Sequence, residues 1–265
     1  IKVDAHAVIP EDFVSKNVRV LETGEYICGG QRPNIIDKPT PFKETLLLAE
    51  SSMFGSSIAS YRNNPGKTYV KSLFHAAYRR EVFEKVGFFN EELVRTEDNE
   101  IHYRMRKAGY KLCFDPDIIS YQYTRSSLKA MLKQKYANGY WIGKTSKVCP
   151  KCLSIYHFVP FAFVSAIIAS GSVIGATGLA ECIKKRHNHT LGKGISALRK
   201  VTVVLTTVMW VLYALMASGM AAVSAFKAED KRNITNACLP VLFLLLHLSY
   251  GIGTIAGLMD KSKRG

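Results

Sequence analysis

Acidic residues are scarce. Only 21 Asp and Glu stand against 36 Lys and Arg, for a formal net charge of +15 over 265 residues. This imbalance does not make the chain a nucleic-acid binder. Its basic residues gather beside long apolar runs, where the preference of Lys and Arg for the cytoplasmic side of a membrane accounts for them. Cysteines are few and irregularly placed, at 28, 113, 149, 152, 182 and 238, so no disulfide framework is expected. Cys149-Pro150-Lys151-Cys152 lacks the second ligand pair that a zinc site normally needs. Asp, Glu, Lys and Arg are missing altogether from three runs, at about 153–179, 201–226 and 238–258. Their absence argues against an ion or proton transporter, whose path needs ionisable groups inside the membrane. The chain opens without Met or a secretory leader, and the expectation is a piece of something longer.

What is present divides into two unlike halves. Residues 1–150 have a mixed, globular composition, and the rest is apolar runs with basic spacers. The opening "IKVDAHAVI" reads as a buried strand, and "PEDFVSKNV" as a short helix with Phe13, Val14 and Val18 on its inner face. Gly29-Gly30 reads as a break, and 31–68 as a long connection around one helix, "FKETLLLAESSMF". "YRREVFEKVG" is an amphipathic helix closed by Gly87. Ile101, Met105 and Ala108 mark the buried face of the next helix. "YKLCF" and "IISYQY" read as two strands around an Asp115-Pro116-Asp117 turn. Interleaved helices and strands predict an α/β layer structure.

Beyond residue 125 the character changes. "SSLKAMLKQKYANGYWIGK" sets Leu128, Met131 and Leu132 beside lysines, Tyr140 and Trp141, as in a helix lying in a membrane interface. Each apolar run that follows is long enough to cross a hydrocarbon core of about 30 Å. The basic spacer 180–200 belongs in the cytoplasm by the positive-inside rule, which conflicts with a cytoplasmic 1–150, so either the rule fails here or the first run is re-entrant. Pro160, Gly171 and Gly175 permit such a break.

Two clusters carry candidate chemistry. Asp4 and His6 alternate along an extended segment, so they point the same way and suit a divalent cation that also grips a diphosphate; the bland alternative is a surface turn. Glu97 and Asp98 open a helix, where carboxylates are stabilised by the dipole as ordinary caps. The sharper alternative is a general base, if that helix start faces the ligand edge of the sheet.

The order of "DAH", Gly29-Gly30, Arg79-Arg80-Glu81-Val82-Phe83, Val86-Gly87, Glu97-Asp98, Arg104, Ala108-Gly109-Tyr110 and "RSSLKAMLKQKYANGYW" resembles the catalytic core of a family 2 glycosyltransferase with the GT-A fold. More narrowly, it is similar to membrane glycosyltransferases of succinoglycan and other bacterial exopolysaccharide pathways. The resemblance covers about residues 1–145 and, more loosely, the tail near "HLSYGIG". It implies a partial, Rossmann-like GT-A domain at 1–125, an interfacial amphipathic linker at 126–152, and an all-α transmembrane region of two to three helices at 153–265. The nucleotide-binding first half of that domain is expected to lie outside this chain.

By the same resemblance, Asp4 and His6 occupy the position of the metal-binding DxD motif, for Mg2+ or Mn2+. Asp98 occupies that of the acceptor-activating base, with Glu97 beside it. Arg125 and the Gln134–Trp141 segment lie where related synthases carry a Gln-x-x-Arg-Trp motif, at a different spacing. Arg104 or Arg125 would contact phosphate, as guanidinium geometry allows, with a surface ion pair as the bland fate of each. The implied partners are a nucleotide-sugar donor of the UDP type, a lipid-linked or glycan acceptor, and a membrane. The implied place is the bacterial inner membrane, multi-pass, with the catalytic domain cytoplasmic. The alternative function is a non-catalytic membrane subunit that keeps a truncated form of this fold.

Overall fold

The computed structural model describes residues 1–5, 7–55, 66–186, 192–228 and 233–261. Its globular half is built on strands whose alternate residues face two different cores. The main sheet holds β2 (Ile27–Gln31), β4 (Thr68–Val70), β5 (Ala76–Tyr78) and β6 (Leu112–Ile119), in the order β4-β6-β2-β5. β2 and β6 run parallel and the outer pairs are antiparallel. On one face Ile27, Ala76, Leu112 and Phe114 join Val82 of α3 (Arg80–Val86) and Ile101 and Met105 of α4 (Glu97–Lys107). On the other, Cys28, Ala77 and Cys113 meet Phe13 and Val20 of α1 (Phe13–Glu22). Period-2 strands with both faces apolar need helices on both sides, and that is the layered α/β arrangement expected. A second sheet orders β1 (Ala7–Val8), β7 (Tyr121–Tyr123) and β3 (Asn34–Ile35) as β1-β7-β3.

Several local expectations are corrected. The opening residues are not a buried strand: Ile1 and Val3 are exposed, and Lys2 alone bridges to Ala76 at the sheet edge. In α1, Val14 and Val18 face solvent and Asn17 is fully buried. Asn17 tolerates burial because its amide donates to the Phe13 carbonyl at 2.8 Å and accepts from the Cys28 thiol at 3.4 Å. Gly29 and Gly30 lie inside β2 rather than ending it. A side chain on Gly30 would strike the carbonyls of Asp115 and Ile118, so close strand approach explains the residue. The Asp115-Pro116-Asp117 turn does not separate two strands. It bulges within β6, where Gly29 pairs with Phe114 and Gln31 with Ile119.

The second half consists of long helices: α5 (Leu128–Val148), α6 (Val159–Arg186), α7 (Lys193–Lys227) and α8 (Leu239–Met259). Three segments, Ile155–Lys184, Lys193–Lys227 and Ile234–Met259, are long and apolar enough to cross a membrane. α6 runs unbroken through Gly171 and Gly175, so the first apolar run does not re-enter as a broken helix. α5 does not lie apart from these helices. It packs along α8 through glycines: a Cβ on Gly139 would strike the Tyr250 carbonyl, and one on Gly257 the Tyr140 carbonyl. Such small-residue contacts let two backbones approach where apolar lipid supplies no hydrophobic drive.

α2 (Pro41–Ser51) is the other tie. The sequence presents it as part of a connection, yet Leu46 and Ala49 are buried against Leu239, Leu242, Phe243 and Leu246 of α8. At its C-terminal side, His247 donates to the Phe54 carbonyl at 2.6 Å and accepts from Tyr213 at 3.0 Å. The one histidine of α8 is therefore satisfied by hydrogen bonds, as a polar group in a span must be.

His102 ties α4 to the sheet. Fully buried, its ring meets Ser72 at 3.0 Å and Tyr78 at 2.8 Å. Burial, helped by nearby Lys2 and Arg106, lowers its pKa to about 3, so it stays neutral. His102→Ala would leave a cavity and strand the Tyr78 hydroxyl. A loss of about 2–4 kcal/mol in chemical denaturation is the expected result.

Candidate active site

The site begins with a strained residue. Thr96, the N-cap of α4, has φ +70°, in the left-handed region that non-glycine residues enter at a cost. Its hydroxyl bonds to Thr145 of α5 and to the Arg95 carbonyl, which holds the bend. The bend starts α4 so that Glu97 and Asp98 occupy its first turn, at the positive end of the helix dipole.

Both acids meet one cation. Lys2 Nζ lies 2.7 Å from Asp98 Oδ1, 3.0 Å from Glu97 Oε1 and 3.6 Å from Asp4 Oδ1. The structure thus brings Asp4, Glu97 and Asp98 to one rim, across a long span of sequence. Burial pushes the Asp98 carboxyl up to about 7 against the pull of Lys2. For Lys2, burial acts downward, but the charges of Asp98, Glu97 and Asp4 outweigh it and hold the ammonium above its ordinary range. The directions agree physically: Asp98 is the deeper partner and loses more solvent, while Lys2 faces three carboxylates.

Asp4 and Glu97 are more open than Asp98, with side chains 25% and 24% exposed against 16%. His75 Nε2 stands 3.9 Å from the second oxygen of Asp4. His75 is itself buried, with Nδ1 2.8 Å from Ser120 Oγ. The predicted partner His6 lies outside the described residues. Among the described residues no three His, Cys, Asp or Glu stand together as a ready-made cation cage. The donors present still fit a hard ion, because Mg2+ is commonly held by one or two carboxylates together with substrate phosphates.

The two predicted arginines sit elsewhere. Arg104 forks onto Glu100 at 2.7 and 2.9 Å and donates to the carbonyls of Val86 and Phe88. It ties α4 to the turn after α3 rather than to the Lys2 cluster. Arg125 precedes α5 near Arg95, whose pKa is lowered by burial and then by the like charge of Arg125. Arg95 also donates to Asn138 Oδ1 at 2.9 Å. Trp141 is buried in α5 rather than presented to a ligand.

Lys2, His75, Thr96 and Arg95 were not read from the sequence as site residues. Only Lys2 carried a usable signal: it stands two residues before Asp4, the spacing at which side chains of an extended segment point the same way. The other three depend on contacts between distant segments.

The family model described as Glycosyl transferase family group 2 matches residues 1–253. Succinoglycan biosynthesis protein ExoA of Rhizobium meliloti is 27% identical over 142 residues, covering 52% of this chain and 42% of that protein. A Methanococcus voltae protein named dolichyl N-acetyl-alpha-D-glucosaminyl phosphate 3-beta-D-2,3-diacetamido-2,3-dideoxy-beta-D-glucuronosyltransferase is 24% identical over 172 residues, 62% of this chain and 52% of its own length. O-antigen chain rhamnosyltransferase WbaN of Salmonella anatum is 32% identical over 102 residues, 38% of this chain and 30% of its own. This chain therefore spans about half or less of each of these relatives.

Proposed function

Because the chain belongs to glycosyl transferase family group 2, we propose that it moves a sugar from a nucleoside diphosphate to a hydroxyl of a lipid-linked or glycan acceptor at a membrane face. The observation that carries this reading is the meeting of Asp98 and Asp4 through Lys2. A proton acceptor and a cation ligand then share one rim, in a chain with three helices long and apolar enough to cross a membrane. The lipid-linked acceptor also draws support from the dolichyl phosphate in the name of the Methanococcus voltae relative.

In the proposed reaction Asp98 takes the acceptor hydroxyl's proton as that oxygen bonds to the anomeric carbon. The bond from that carbon to the diphosphate breaks on the opposite side, so the configuration inverts. Asp4, with His6, would hold Mg2+ or Mn2+, which when bound supplies positive charge for the departing diphosphate. Arg125 and its neighbour Arg95 are the guanidinium groups proposed to bind phosphate in place of Arg104, which is committed to Glu100 and two carbonyls. Glu97 shares Lys2 with Asp98 and supports the base. The reading places the protein in a bacterial inner membrane, with the globular half on the cytoplasmic side where nucleotide sugars are made.

The test is turnover by the full chain in lipid, given UDP-, GDP- and dTDP-hexoses with a lipid extract as acceptor. Release of nucleoside diphosphate from one donor class is expected. Its rate should rise with pH through about 7, because Asp98 can accept a proton only after losing its own. No release, together with no donor binding in calorimetry with or without Mn2+, would overturn the proposal and favour the non-catalytic subunit.

A further inference from the structure

Lys2 has no part in the transfer as proposed, yet the rim is assembled around it. Its main chain is fixed by a bridge to Ala76, with N–H to carbonyl at 2.9 Å. Its side chain is only 22% exposed and passes over Phe89, whose ring centre lies 5.6 Å from Nζ. From this anchored position the ammonium hydrogen-bonds Asp98 and Glu97, while Asp4 stays 3.6 Å away, beyond hydrogen-bond distance. Only Oδ1 of Asp98 is engaged. Among the described residues no other side-chain hydrogen bond reaches that carboxylate, so its second oxygen is left for an incoming hydroxyl.

Remove the ammonium, and the negative charges of Asp4, Glu97 and Asp98 lose the cation they share on a half-buried rim. Like charges in that setting repel strongly. The first turn of α4 carries two of them on a strained N-cap, so it is the element free to yield.

We propose that Lys2 is a positioning residue: it holds the Asp98 carboxylate opposite Asp4 and, by satisfying Glu97 and Asp98, leaves Asp4 as the carboxylate open to a divalent cation. This rests on the transfer reading for its purpose, but the carboxylate clamp can be measured without turnover.

Two readouts on the full chain separate the claims. With the sugar donor found above, Lys2→Met should lower kcat about 100-fold and leave the donor KM within about threefold, the effect of a misplaced reacting group. Lys2→Arg, which restores the charge, should keep kcat within about tenfold of wild type. In the absence of any sugar, Mn2+ binding followed by electron paramagnetic resonance should be about tenfold tighter in Lys2→Met, because the ammonium 3.6 Å from Asp4 no longer repels the ion. Lys2→Arg should bind Mn2+ as wild type does. If the wild-type chain turns over no donor, the transfer reading fails alone, and Mn2+ affinity still judges the clamp. Unchanged kcat in Lys2→Met, equal losses in Lys2→Met and Lys2→Arg, or Mn2+ binding unaltered by Lys2→Met would each overturn the role of Lys2. Should Lys2→Met fail to fold, Lys2→Gln keeps a hydrogen-bond donor without the charge and carries the same comparison.

Discussion

Asp98→Asn is expected to cut sugar transfer by about 10³-fold or more while donor affinity stays within about twofold, the scale set by losing a positioned base. Asparagine matches the carboxylate in shape and can still accept the Lys2 hydrogen bond now made at 2.7 Å. The geometry therefore survives and the proton acceptor does not. Glu97→Gln, one residue away at the same lysine, should lose less than about tenfold, since Glu97 supports the base without replacing it. Wild-type turnover by Asp98→Asn would remove that residue from the mechanism.

The same variant has a signature in stability. An unfolded Asp ionises near 3.8, but folded Asp98 does so near 7. The native state holds this proton more tightly than the unfolded state, so the wild type loses stability as pH rises between these values. Asp98→Asn should flatten that part of the pH–stability curve and leave the protein no less stable at pH 8. A drop in stability at pH 8 would mean that the attraction of Lys2, not burial, dominates the carboxyl.

Gly257→Leu is expected to break the seam between α5 and α8. A Cβ on Gly257 would collide with the Tyr140 carbonyl, and Gly139, Gly143 and Gly253 are similarly close-packed along the same line. Backbone cannot move aside as a flexible side chain can, so the helices must separate along the seam. The expected cost is about 3 kcal/mol or more, read as a lower thermal midpoint in detergent. Gly171→Leu is the control, because its Cβ meets nothing within 4 Å. Activity should fall with Gly257→Leu as well. Thr145 on α5 holds Thr96, and Thr96 aims Asp98, so a shifted α5 loosens the base. Equal midpoints for the two variants would show that the seam carries no stability.

Local patterns foretold the elements whose residues answer mainly to their neighbours in sequence. α3 and α4 formed where apolar spacing placed them, and Gly87 closed α3 at φ +81°. The misreadings arose where a polar group found a distant partner or an apolar one found none. Val14 and Val18 were expected inside because they are apolar, but the side of α1 that meets the sheet is set by Phe13, Asn17 and Val20. Asp115-Pro116-Asp117 does form a local turn, with the Asp117 amide donating to Asp115 Oδ1 at 3.0 Å. Its sequence could not reveal that the chain resumes the same strand, because only pairing with β2 fixes that.

The paired acids at a helix start, the alternating strands and the charge-free runs follow from periodicity and composition, which act over a few residues and need no knowledge of the fold. They sufficed for a layered α/β half, a run of long apolar helices and a short roster of acidic candidates. Which acids share a rim, that Lys2 joins them, and that α2 and α5 dock on α8 were decided only when distant segments packed together. Such contacts depend on loop closure, backbone approach and burial across the whole chain, and no window of neighbouring residues contains that information.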